Sequence, residues 1–424
     1  MSTATLLVEH AAELVTVAGS PAPRRGPGQA ELGTIRDGAV AAAGDGRIVA
    51  VGPTDEVRRA VRLADGARVV DAAGRAVVPG FVDAHTHAVF AGDRAAEFAL
   101  RLQGADYLEI LRAGGGILST VRATRAATEA ELRDAATHAL DVMLAHGTTT
   151  VEIKSGYGLD LESELRMLRV ARVLDRPGGP RVVGTLLAAH AVPPEHRDDP
   201  DRYLELVCDR IIPAAADAGL ARFCDVFCEG GVFTVEQARR VLEAGLAHGL
   251  IPKLHAEQKS HLGGARLGVE LGAASVDHLE HVADDDLAAL AGSSTVAVLL
   301  PGAAFVLRDS RNAPARRMVE LGVPVAIATD YNPGTSPIRS MPLVIGLACL
   351  RLGLSPAEAL VAATINAAHA IGVAAEVGSL EVGKRADLLV LKHASHAHIP
   401  YWFGENPVRT VVVGGEVVEP CPDL

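Results

Sequence analysis

The middle of the chain is written as short apolar runs that turn polar at their C-terminal ends. The first covers 77–83 and leads into His85 and His87. Further runs lie at 148–154, 181–190, 223–228, 251–255, 275–278, 295–300 and 323–330. Stretches of helical period separate most of them, over 128–146, 161–174, 235–248 and 313–321. Thr128-x-x-Glu131 predicts a capping box at the first helix, whereas Ser163-x-x-Arg166 supplies none at the second. Strands alternating with helices, eight strands in all, predict an α/β fold of (β/α)8 TIM-like barrel type over residues 76–374.

Both ends have a different character. Short apolar strands around Gly turns fill the first 75 residues, with a hairpin signal at Gly44-Asp45-Gly46 inside 38–52. Segments 383–391 and 410–418 repeat that style. Neither end holds enough strands for a core of its own. The pattern therefore predicts one small β-sandwich domain composed of 1–75 and 375–424. The stretch 21–28, rich in Pro, Gly and Arg, predicts an exposed loop.

Composition narrows the partners more than the fold. The 424 residues suffice for a barrel and a smaller unit, and at 49% hydrophobic but 3% aromatic the core must rest on Ala, Val and Leu. A formal net charge of −12 provides no basic patch for nucleic acid and disfavours anionic membranes. Residues 291–307 are mostly apolar, but Gly292, Ser293, Ser294, Pro301 and Gly302 break them as a membrane span. The N-terminal residues lack a basic stretch and a long apolar run, so no secretory signal is expected. Cys208, Cys224, Cys228, Cys349 and Cys421 form no C-x-x-C pair, which suggests a reducing compartment. Cys224 and Cys228 read as small buried hydrophobes. The expectation is a cytoplasmic protein acting on a small molecule, with homodimer formation left open.

The polar strand ends carry the candidate chemistry. They are His85 and His87, Lys154, His190, His255, His278 and Asp330, and a barrel of this kind keeps its active site at that face. Positions i and i+2 of a strand share a face, so His85 and His87 converge, with Asp83 beneath them. His85, His87, His255 and Asp330 form a donor set of three imidazoles and a carboxylate, suited to one zinc or iron ion with a position left open for water. Such a metal brings the pKa of its water toward ~7. Asp330 is then the proton carrier, and His278 the stabiliser of a developing oxyanion. Strand four ends in Cys228 and Glu229 rather than Lys, which favours one metal over two. Lys253, inside the barrel, needs a buried partner, and Glu152 is a candidate. Arg94 follows the first strand and can grip a carboxylate with two hydrogen bonds. Tyr157 rides a Gly-flanked loop, His190 ends the third strand, and Asn332 to Ser336 follow Asp330 with amide, hydroxyl and backbone donors. His281 and His369 read as structural. Gly114-Gly115-Gly116 lacks the phosphate-loop pattern and reads as a mobile loop beside the site.

The segments Pro79-Gly80-Phe81-Val82-Asp83-x-His85-x-His87, the later His255, His278 and Asp330, and the closing Gly378 to Asp387 segment resemble the amidohydrolase superfamily over most of the chain. Phe90-Ala91-Gly92-Asp93-Arg94-x-x-Glu97-Phe98, Gly114-Gly115-Gly116-Ile117, Glu152-x-Lys154-Ser155-Gly156-Tyr157-Gly158-Leu159, His190-Ala191-Val192-Pro193 and Thr329-Asp330-x-Asn332-Pro333-Gly334-Thr335 resemble a branch of it that opens cyclic amides. That resemblance implies hydrolysis of the lactam C–N bond of 4-imidazolone-5-propanoate to N-formimidoyl-L-glutamate in histidine degradation. It implies zinc or iron at His85, His87, His255 and Asp330. It also implies substrate contacts from Arg94, Tyr157, His190, Gln258, Asn332, Gly334 and Thr335. Related deaminases place a Glu three residues after the fifth-strand His, where this chain has Gln258. Gln cannot titrate, so proton transfer falls to Asp330, and Glu257, one residue off, should point elsewhere. The alternatives are an aromatic deaminase of purine or pyrimidine type, which would want Glu at 258, and an inert binding protein, which would have lost ligands.

Overall fold

The computed structural model describes residues 1–19, 21–104 and 115–418. Eight parallel strands form the central sheet: β1 Phe81–Asp83, β2 Thr148–Lys154, β3 Arg181–Ala189, β4 Phe223–Cys228, β5 Ile251–Ala256, β6 Ser275–His278, β7 Val296–Leu299 and β8 Val325–Ile327. Each pairs with the next in chain order, and helices cover the outside. The strands are buried on both faces, which is why their sequences are near-continuous apolar runs. Strands β2, β4 and β6 have the expected bounds. Strand β8 is shorter than expected, because the backbone turns out of the ladder before Asp330, whose φ is +53°. The barrel closes without a full ladder between β8 and β1. Asp83 accepts hydrogen bonds from Thr329 Oγ1 at 2.6 Å and Thr329 N at 3.1 Å, and Thr86 bridges Tyr331.

The first strand requires a correction. The run 77–83 is two strands that meet at Gly80. Ala76–Pro79 pairs with Leu388–Leu391, whereas Phe81–Asp83 pairs with β2 in the barrel. Both halves are apolar and extended, so local pattern reads through the join.

Helix starts follow their side-chain caps. Thr128 and Glu131 make the expected capping box ahead of Glu129–Ala145. Helix Leu161–Val173 begins instead at Asp160, whose carboxylate accepts Ser163 N at 2.8 Å. A second box, Thr234 with Gln237, opens Val235–Ala247.

The two ends of the chain build the remaining sheets. One has four strands in the order Ile48–Pro53, Gly38–Ala42, Ser2–Ala11, Val61–Asp71. The other has six: Glu416–Val418, Val408–Val413, Leu388–Leu391, Ala76–Pro79, Glu13–Val15 and Thr34–Ile35. Leu6, Val8 and Val40 of the first meet Leu14, Val77, Leu388 and Val412 of the second in a shared apolar core, a sandwich. The stretch 21–28 departs from an exposed loop at its second half. Arg24 N donates to Asn366 Oδ1, Arg25 Nη1 donates to Ala291 O, and Gly26 is buried. Among the described residues no helix is long and apolar enough to cross a membrane.

Candidate active site

The polar strand ends converge at the C-terminal mouth of the barrel. The His85 ring centroid lies 4.4 Å from that of His255, 5.3 Å from His87 and 5.6 Å from His278. Asp330 Oδ1 is 3.5 Å from both His85 Nε2 and His87 Nε2. Two trios of donor atoms, His85/His255/His278 and His85/His87/Asp330, each fall within 4.8 Å. Burial, foremost, pushes His255 down to about 4 and His85 well below the ordinary imidazole value, so both rings are neutral at neutral pH. Burial opposes ionisation of Asp330, but His87 and His278 hold its carboxyl below the usual range. Among the described residues, His85 Nε2 and His255 Nε2 are buried without a hydrogen-bond partner. Orphaned buried nitrogens aimed into one cluster with a carboxylate are what a metal ion would satisfy. The donor set fits one.

Beneath this cluster lies a layer of fully buried charge. His85 Nδ1 meets Asp277 Oδ2 at 2.6 Å, and His255 Nδ1 lies 3.0 Å from Asp225 Oδ2. Carboxylates in these places fix ring orientation and raise ligand basicity. Lys154 Nζ joins the two, 2.8 Å from Asp225 Oδ2 and 3.5 Å from Asp277 Oδ2, and also bonds Glu152 at 3.1 Å. Lys253 Nζ reaches Glu152 Oε1 at 3.0 Å and donates to Ala84 O at 3.2 Å, so the expected Lys253–Glu152 pair is present. Thr185 Oγ1 adds a 2.5 Å hydrogen bond to Glu152. Burial disfavours the Lys154 ammonium, yet Asp225, Glu152 and Asp277 hold its pKa above the ordinary value. Lys154 therefore belongs to this floor and not to the open mouth. Asp83, buried against Thr329, is pushed up to about 7 by desolvation.

Above the cluster opens a cavity of about 680 Å³. Its wall includes His190, Tyr157, Gln258, Asn332 and Thr335. His190 Nδ1 lies 3.0 Å from Gly156 O. A carbonyl only accepts, so Nδ1 carries the proton and Nε2 is left as an acceptor. A Cβ at residue 156 would meet His190 Nδ1 at 2.8 Å, and φ there is +108°, so glycine is required. Tyr157 is buried between His87 and Phe90, and desolvation raises its pKa, which keeps its O–H a donor. Asn332 is committed to its own loop: Nδ2 donates to Asp330 O at 2.6 Å and Thr335 Oγ1 at 2.8 Å, and Oδ1 accepts from Gly334 N at 2.9 Å and Thr335 N at 2.7 Å. Arg94 pairs with Glu97 through two nitrogens, Nε at 2.8 Å and Nη2 in a closer contact. Burial opposes the Glu97 carboxylate, and Arg94 nonetheless holds its pKa below the usual range.

The polar strand ends come to this mouth except Lys154, which sits below it, and Arg94, Tyr157, Gln258, Asn332 and Thr335 line the cavity with them. Gly334 does not line the cavity itself but stands behind Arg94, where a Cβ would overlap Nη1. Glu257 points elsewhere, as expected: its carboxylate accepts backbone N–H bonds from Leu262, Gly263 and Ala265 at the start of Gly264–Glu270. Sequence reasoning missed Asp225, Asp277, Arg101 and Phe227, and gave Glu97 a place in a motif but no role. A strand-period check could have placed the two Asp residues on the inward face. Of the glycine run 114–116, Gly114 lies outside the described residues, as does Cys421. Gly116 N donates to Glu97 Oε2 at 2.9 Å. The described cysteines are free, and burial pushes Cys228 up to about 12.

A model of the amidohydrolase family matches residues 76–418, and the chain belongs to that family. It is 56% identical to the imidazolonepropionase of Symbiobacterium thermophilum over 414 residues, covering 97% of each chain. It is 53% identical to that of Geobacillus kaustophilus, again over 97% of each. Within the family the chain belongs with the imidazolonepropionases, and it is a hydrolase of C–N bonds in cyclic amides. Among solved structures, guanine deaminase of E. coli superposes with a TM-score of 0.73 at 16% identity, over 98% of this chain and 99% of that one. An adenosine deaminase from Xanthomonas campestris gives 0.72 at 22%, over 98% and 93%. At those identities the likeness is one of fold. The family and the His/Asp cluster together support a divalent metal.

Proposed function

We propose that this chain opens the ring of 4-imidazolone-5-propanoate to give N-formimidoyl-L-glutamate. The observation that carries the reading is a buried His/Asp cluster opening into a cavity whose wall holds guanidinium groups. Zinc or iron at His85, His87, His255 and Asp330 would polarise the scissile amide and lower the pKa of a water. Asp330 would take a proton from the attacking water as its oxygen bonds to the carbonyl carbon, and would deliver that proton to the leaving ring nitrogen as the C–N bond breaks. The hydroxyl stays on the carbonyl carbon, which becomes the new carboxylate. His278 donates a hydrogen bond to the oxygen that gains charge. Burial opposes a charged His278, but Glu280 and Asp330 raise its pKa, which favours the donor form.

Tyr157 and His190 hold the ring, one as donor and one as acceptor. Gln258 orients it without titrating. Arg94 faces the propanoate end, and Gly334 leaves room for that guanidinium. Asn332 shapes the loop that presents Thr335. The same reading divides the chain into a catalytic barrel, 76–374, and a composite terminal β-domain, 1–75 with 375–424, operating in a reducing cytoplasm.

The test is turnover of 4-imidazolone-5-propanoate with zinc and iron content measured on the same sample. Loss of the imidazolone chromophore in proportion to metal content is expected. Ammonia release from a purine or pyrimidine base, with the imidazolone untouched, overturns the reading in favour of a deaminase.

A further inference from the structure

Two arginines border the rim of the cavity, and only one of them is matched by a carboxylate bonded to it. Arg94, Glu97 and Arg101 all line it. The Arg94 guanidinium is already matched by Glu97, its Nε and Nη2 both engaged. Glu97 is anchored in turn by Gly116 N at 2.9 Å. Arg101 is in a different state. Its Nη2 donates to Gly334 O at 2.8 Å, and its Nε is buried with no hydrogen-bond partner among the described residues. No carboxylate lies within ion-pair distance of it among the described residues. Its guanidinium also sits 6.0 Å from the Phe98 ring centroid. Burial, foremost, pulls its pKa down, against the more distant pull of the Glu97 carboxylate, which is already bonded to Arg94.

The formal charge of the three side chains is therefore +1. A substrate with one carboxylate completes that balance. A carboxylate bound to Arg94 alone would have to compete with Glu97 for the same guanidinium, and it would meet a pair of zero net charge. Both guanidinia border one corner of the wall. Arg101 Nη2 bonds the Gly334 carbonyl, and Arg94 Nη1 lies where a Gly334 Cβ would be. A carboxylate in that corner reaches Arg101 and the free edge of Arg94 together.

We propose that Arg101 is the residue that sets specificity for a carboxylate-bearing substrate, with Glu97 pinning Arg94 as its neighbour. This rests on the reading that the substrate carries a propanoate arm. The test compares 4-imidazolone-5-propanoate with its propanamide counterpart in the wild type, Arg101→Gln and Arg101→Lys. Arg101→Gln should raise KM for the propanoate about 10- to 100-fold, the scale of one charge-assisted contact, with kcat within about threefold. KM for the propanamide should not move, and Arg101→Lys should recover most of the loss. An equal rise for both compounds would assign Arg101 to support of the Gly334 loop and overturn the proposal. So would no change for either. Binding of 3-(imidazol-4-yl)propanoate by calorimetry separates the two layers. If the wild type fails to turn over the imidazolone yet binds this probe, and Arg101→Gln weakens that binding, the carboxylate site stands while the substrate assignment falls. If Arg101→Gln binds the probe as tightly as the wild type, the proposal is wrong whatever the substrate.

Discussion

Two layers of polar side chains meet at the metal cluster, and they are built on opposite terms. The floor, made of Glu152, Lys154, Asp225, Lys253 and Asp277, is fully buried, and its charges pair with opposite charges, mostly across the barrel between strands that are not neighbours. The rim keeps a guanidinium with an unpartnered nitrogen at the cavity wall. A buried charge without a partner is costly, so the floor tolerates no loss. The rim can leave a charge unmatched because it lies nearer water and awaits a ligand. The floor holds the chemistry in place, and the rim chooses what enters.

The largest effect should come where the layers touch. Asp330→Asn keeps the shape and removes the proton carrier. We expect turnover to fall about 10³-fold or more while the circular dichroism spectrum is unchanged. A kcat close to wild type would remove Asp330 from proton transfer. Next comes the floor itself. Lys253→Met leaves Glu152 in the barrel with one cation fewer, and breaking such a pair costs about 3–5 kcal/mol. Denaturant unfolding measures it. A loss well under 1 kcal/mol would mean the floor relaxes as easily as the rim, and the contrast would fail. Asp225→Asn should be milder. It leaves a hydrogen-bonding group beside His255 but takes away the charge, and metal affinity should drop about 10- to 100-fold in chelator competition. Unchanged affinity would show that the floor supports the barrel without tuning the ligands.

The two layers also differ in how far they could be read from sequence. The ends of the strands were legible because parallel strands buried on both faces leave polar residues only where they emerge. His85, His87, His255, His278 and Asp330 stand out on that ground. The floor was not legible in the same way. That Asp225 meets His255 depends on the register between β4 and β5, where Asp225 lies opposite Lys253 and Phe227 opposite His255, and that it also meets Lys154 depends on closure of the barrel. No local pattern contains that offset. The same limit explains the misread first strand, since only the long-range partners, Leu388–Leu391 for one half and β2 for the other, divide it at Gly80. Arg94 was visible as a cation, but its match to Glu97 one helical turn later was within reach of the i, i+3 rule and went unread. Asn332 stands out in the sequence as a hydrogen-bonding group for a substrate, but the turn that its own amide builds depends on backbone geometry that the sequence does not display.

The smallest effect tests the rim's tolerance. Gly334→Ala places a Cβ against Arg94 Nη1, the far end of a flexible side chain. The side chain can move aside, so unfolding should change little. The displaced guanidinium then sits off its corner. KM for the propanoate substrate should rise about 3- to 10-fold with kcat nearly unchanged, the pattern of lost uniform binding. An addition of similar size to the floor would have no slack to take up, because Lys154 and Lys253 are held from several sides. If Gly334→Ala instead lowered stability as much as Lys253→Met, the Arg94–Glu97 pair would belong with the floor. The unmatched charge of Arg101 would then be a strain within the fold and not a place kept for a substrate carboxylate.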